Sequence, residues 1–128
     1  MALTTPKYGG IDDLFISIGS TGLTAGTDEG IPVKMNANDQ VAKPSAEDPI
    51  AGIIGQDIGA DGIVDLQVEG FVTLSYTAEG ETIPTIGACE LVCDGSGGVK
   101  TPAQAGDGLK KYQVVNVDTS ATTVTFKL

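Results

Sequence analysis

The sequence predicts a mainly β protein: a small antiparallel β-barrel or sandwich with an extended N-terminal arm and little helix. Three observations predict it. Val64, Leu66, Val68, Val72, Leu74 and Tyr76 all occupy even positions, with Asp65, Gln67, Glu69, Thr73 and Ser75 between them, which is the period-two pattern of a strand with one buried face. Near the C-terminus, Val115 and Val117 are followed by the polar run Asp118-Thr-Ser-Ala-Thr and then by Val124, Phe126 and Leu128 alternating with Thr123, Thr125 and Lys127, the signature of a hairpin. Finally, 18 glycines and 6 prolines among 128 residues cut the chain into short segments, a usage that favours strands and turns over long helices. A chain of this length forms one domain able to bury about two-thirds of its unfolded surface.

From the N-terminus, residues 1–13 are polar and turn-rich and read as an arm, leaving 14–128 as a single β domain. Short strands are expected at Leu14 to Ile18 and at Ile31 to Met35. A hairpin is expected where Ile50 to Gln56 meets Ile63 to Glu69, because Asp57-Ile-Gly-Ala-Asp-Gly supplies turn chemistry between them. A straight strand from Val64 to Tyr76 would span ~43 Å, too long for so small a domain. Gly70 is therefore the expected bend, with Phe71 beside it turned to the other face. Ile86 to Cys93 and Tyr112 to Val117 complete roughly seven or eight strands. Asp94-Gly-Ser-Gly-Gly reads as a hairpin turn with glycines at positive φ. The one helical candidate, Pro102 to Lys110, is weakened by Gly106 and Gly108. No tandem repeat is evident.

Charge narrows the function. Seven lysines, no arginine and 17 carboxylates give a net charge of -10, a balance that repels phosphate and argues against nucleic-acid binding. The absence of histidine removes the usual general base near neutral pH and the commonest metal ligand. No apolar run approaches the ~18 residues of a membrane span. The start lacks the apolar core of a secretory signal, so the expected compartment is the cytoplasm of the producing or host cell.

Individual motifs carry little chemistry. Cys89 and Cys93, if extended, lie about 13 Å apart, beyond disulfide reach, and share one parity with Leu91, so buried reduced thiols are expected. Two thiols without histidine do not complete a zinc site. Asp57, Asp61 and Asp65 recur every four residues but match no calcium-loop signature, and a solvated turn explains them as well. Asp94-Gly-Ser-Gly-Gly lacks the helix and the lysine-serine pair of a phosphate cradle. Val33-Lys34-Met35 lacks the flanking methionines of a modified-lysine hairpin and reads as a strand with an outward lysine. No Gly-x-Ser-x-Gly elbow occurs. No catalytic residue, cofactor or metal site is therefore assigned. A hydrolase using paired carboxylates stays open, because 17 acids allow such a pair without singling one out.

Several segments, in order, resemble the small capsid decoration, or cement, proteins of tailed bacteriophages. They are Gly30-Ile-Pro-Val-Lys-Met with Asn38-Asp-Gln-Val-Ala, Pro49-Ile-Ala-Gly-Ile-Ile-Gly, Gly62-Ile-Val-Asp-Leu-Gln-Val-Glu-Gly-Phe-Val, Ile86-Gly-Ala-Cys-Glu-Leu-Val, Asp94-Gly-Ser-Gly-Gly-Val-Lys and Val124-Thr-Phe-Lys-Leu. The resemblance covers about residues 30 to 128 and rests on the order and spacing of turn glycines and valine-rich strands. It implies a non-enzymatic virion protein, made in the host bacterial cytoplasm, that binds the outer face of an assembled head and braces neighbouring major capsid subunits, with self-association as a trimer. Capsid contact is expected in the N-terminal arm, with Leu3, Pro6, Tyr8, Ile11 and Leu14 as apolar anchors able to lie along a capsid strand edge. The alternative is a carbohydrate-binding or adhesive β domain displayed on a virion or cell surface, with Phe71 and Tyr76 as the rings to test. An aromatic content of 5% and no tryptophan count against it.

Overall fold

The computed structural model describes residues 13–78, 82–103 and 110–128. Eleven strands and no helix occur among them: β1 (Leu14–Thr21), β2 (Pro32–Ala37), β3 (Gln40–Ala42), β4 (Gly52–Ile58), β5 (Ile63–Glu69), β6 (Phe71–Ser75), β7 (Gly87–Glu90), β8 (Val92–Cys93), β9 (Val99–Lys100), β10 (Lys111–Asp118) and β11 (Thr123–Lys127). The first five close a barrel in the order β1-β3-β2-β4-β5, and β6-β11-β10-β7 form a separate four-stranded sheet. The fold is thus mainly β, built from a small barrel and a second sheet. One barrel pair, β1 with β3, is parallel, and every other strand pair is antiparallel.

Each half has its own core. Val33, Val41, Ile54, Val64 and Leu66 fill the barrel, with Ile18 and Val68 packed against them. Val72, Leu74, Tyr76, Val114, Val124 and Phe126 line the second core, where the Tyr112 and Phe126 rings meet edge to face with centroids 5.2 Å apart. Ile53 belongs to this second core although its neighbour Ile54 faces the barrel. Strand β4 is therefore buried on both faces, which explains why isoleucines stand side by side there instead of alternating with polar residues. The same covering accounts for buried Gln67, the cross-strand partner of Ile53. Its Nε2 donates to the Glu69 carbonyl at 3.0 Å, satisfying a polar group that the alternation alone assigns to solvent.

Gly70 joins the halves. It separates β5 from β6 with φ +109, is buried, and is packed so closely by Asp13 that a Cβ would collide with that side chain. Only glycine combines that conformation with that proximity. The predicted bend thus marks the passage of one continuous alternating run from the barrel into the second sheet.

The expected hairpins occur. β4 and β5 pair through a turn in which the Ile63 amide donates to Asp61 Oδ1 at 3.0 Å. β10 and β11 pair through a turn where Asp118 Oδ1 accepts from the amides of Ser120 and Ala121. Asp94-Gly-Ser-Gly-Gly closes the β8–β9 hairpin, with Gly95 and Gly97 at φ +81 and +94. The single strand expected from Ile86 to Cys93 is instead two strands. β7 pairs with β10 and β8 pairs with β9, with buried Leu91 at the crossover. The helical candidate Pro102 to Lys110 lies largely outside the described residues.

Candidate functional site

Leu3, Pro6, Tyr8 and Ile11 lie outside the described residues, so of the expected anchors Leu14 alone is placed. It opens β1 and is 51% exposed, and the next two residues, Phe15 at 46% and Ile16 at 42%, are exposed as well. Consecutive residues of a strand point to opposite faces, so this end of β1 presents large apolar side chains on both faces. Three such residues in a row are unusual on a free surface unless something covers them. The sequence reading names Leu14 and not the comparably exposed Phe15 and Ile16. The clue was present: Phe15 interrupts the alternation of Leu14, Ile16 and Ile18, and a strand that is apolar at consecutive positions is buried on both sides or presented to a partner.

Among the described residues, the backbone there is also unpaired on one side. β1 pairs with β5 along Leu14 to Gly19 but with β3 only from Gly19 to Thr21. The Gly19 amide donates to the Asp39 carbonyl, on the β3 side, at 3.1 Å. By the period of two, the N–H and C=O groups of Phe15 and Ser17 point to that same edge. Among the described residues, nothing pairs with them.

The remaining chemistry-bearing groups are tied into the fold. Lys34 pairs with Asp48 and Lys43 with Asp28, each at 3.4 Å, and buried Lys100 pairs with Glu47. The Lys100 hydrogen bond, helped by the Ala103 amide, holds the Glu47 carboxyl below its ordinary range. Both cysteines are free and buried, and burial, reinforced by the Asp48 and Asp94 carboxylates, pushes the Cys93 thiol up to about 12. A thiol so placed is protonated and unreactive at neutral pH. Among the described residues, no three His, Cys, Asp or Glu side chains converge as a metal site would require.

Clefts of about 480, 410 and 430 Å³ indent the surface of the described residues. Among the described residues each is lined by one carboxylate: Asp48, Glu29 and Glu90 respectively. Asp48 is bonded to Lys34 and Glu29 accepts from the Gly26 amide, whereas Glu90 Oε2 is buried without a partner among the described residues. Of the two rings proposed for sugar stacking, Tyr76 is in the second core and only Phe71 reaches a cleft, where it is half-buried. Comparisons with protein-family models, with curated proteins and with solved structures found no match.

Proposed function

We propose that this chain is a head-decoration protein of a tailed bacteriophage, bound to the outer surface of the assembled capsid and bridging major capsid subunits without performing a reaction. The observation that carries the reading is the apolar start of β1, unpaired along one edge among the described residues, directly after the segment whose sequence reads as an arm with further apolar anchors. It is joined by the ordered resemblance of residues 30 to 128 and by a net charge of -10, which suits an exterior position away from packaged DNA. Contact runs through Leu3, Pro6, Tyr8, Ile11 and Leu14, laid along a strand edge of the capsid.

The mechanism is thermodynamic linkage. A ligand that binds only the expanded, assembled head stabilises it by RT ln(1 + [L]/Kd) per site. A trimer that touches several subunits at once turns modest contacts into tight attachment through effective concentration. Deleting Met1 to Gly10 is expected to leave a folded domain that no longer co-sediments with undecorated heads. Undiminished co-sedimentation would remove the arm from the contact.

A further inference from the structure

We propose that the open edge of β1 is a seat for an added strand, and that its occupant is an extended segment of another protein, apolar at alternate positions and flanked by lysine or arginine. The inference deepens the decoration reading and rests on it for the occupant's identity, a segment of a major capsid subunit. The seat itself is argued from the fold.

Two features define the seat. The N–H and C=O groups of Phe15 and Ser17 face away from β5, and β3 pairs with β1 only from Gly19 to Thr21. A strand laid beside them would complete the ladder that β3 begins. On its two faces the newcomer would meet Phe15 on one side and Leu14 with Ile16 on the other, all exposed. An added strand gains main-chain hydrogen bonds from the edge and specificity from alternate side chains.

Charge selects the occupant. Exposed edges are ordinarily guarded by lysine, proline or a covering loop, yet no lysine occurs between Tyr8 and Val33 or between Pro44 and Val99, so β1 and β5 carry none. Carboxylates frame the edge instead. Asp13 precedes β1, Asp39 stands where Gly19 meets β3, and Asp65 and Glu69 lie across on β5. A second copy offering its own β1 would set carboxylates against carboxylates. A segment with basic flanks would pair with them, and its on-rate and selectivity would gain from the attraction.

The test uses the full chain and two synthetic peptides, Lys-Lys-Val-Thr-Val-Thr-Val-Lys-Lys and the same sequence with glutamate replacing every lysine. The readout is residue-resolved amide exchange. The lysine peptide is expected to slow exchange at Phe15 and Ser17 at least about tenfold, with the glutamate peptide far weaker and the difference shrinking in 1 M salt. Ser17→Pro removes an outward N–H while leaving the β5 ladder intact, and is expected to weaken the lysine peptide about tenfold. If that variant fails to fold, Asp13→Asn with Asp39→Asn tests the charge argument, since asparagine tolerates the φ of +55 at position 39. The preference for the lysine peptide should then narrow, and an unchanged preference would overturn the charge argument.

Equal protection by both peptides on the unaltered chain would overturn the proposal, as would no protection by either. So would slow exchange at Phe15 and Ser17 in the free chain, which would mean the edge is already filled by the chain itself or by a second copy. On undecorated heads the two claims separate. Binding with Phe15 and Ser17 still exchanging freely overturns the seat and leaves the decoration reading standing. Failure to bind heads while the lysine peptide protects both amides supports the seat and overturns that reading.

Discussion

Glu47 occupies a left-handed backbone conformation, φ +75, in the segment Ser45–Asp48 that leans on the β8–β9 hairpin. Its amide donates to the Cys93 carbonyl at 3.0 Å and its carboxylate meets Lys100. A non-glycine residue there carries about 1–2 kcal/mol of backbone cost. Glu47→Ala and Glu47→Gly both remove the ion pair, but only glycine relieves the conformation. The glycine variant should therefore be more stable than the alanine variant by about 1 kcal/mol, measured by urea unfolding; equal stabilities would contradict that.

Cys93 makes a second prediction at this scale. Its folded pKa of about 12 exceeds the unfolded thiol value of about 8.5, and Tyr112, raised to about 12 mainly by burial, departs in the same direction. The native state keeps these protons longer than the unfolded chain does. Their contribution is fully present below pH ~8.5 and is lost as pH rises from there toward 12. Thermal midpoints should fall across that window. At pH 8 the native thiols should react with a disulfide reagent at least about a hundredfold more slowly than those of the denatured chain. The parity of Cys89, Leu91 and Cys93 disclosed their burial, whereas nothing in the sequence disclosed the strain at Glu47, because an acid in a loop is unremarkable until the fold sets its φ.

Among elements, the hinge between β5 and β6 carries the most consequence. Gly70→Ala would add a Cβ at φ +109 where Asp13 already packs, and the loss should reach at least about 2 kcal/mol, seen as a lowered urea midpoint. An unchanged midpoint would mean that the passage between sheets tolerates a side chain. The hinge was legible because a 13-residue alternating run cannot stay straight in a small domain. Other elements were legible only in part. Parity placed Val64 and Leu66 inside but also placed Gln67 outside, where the second sheet in fact covers it. The parallel contact of β1 with β3 has no local signal, since it joins residues about twenty positions apart through a three-residue strand, Gln40-Val41-Ala42. The run Leu14-Phe15-Ile16 was legible as a strand covered on both faces, but an apolar run looks the same whether a core or a partner covers it.

For the molecule as a whole, the barrel and the second sheet share the wall formed by β4, and the start of β1, unpaired on one side among the described residues, lies on the barrel. In the proposed function that end of β1 meets an external strand. The measurement that bears most directly on this role is imaging of undecorated, expanded heads after mixing with the purified chain. Added density repeated at the junctions of capsid subunits, with β1 and the preceding residues turned toward the shell, is the expected result. Heads that stay bare at saturating protein, or density that meets the shell through the β6-β11-β10-β7 sheet with β1 facing solvent, would contradict it.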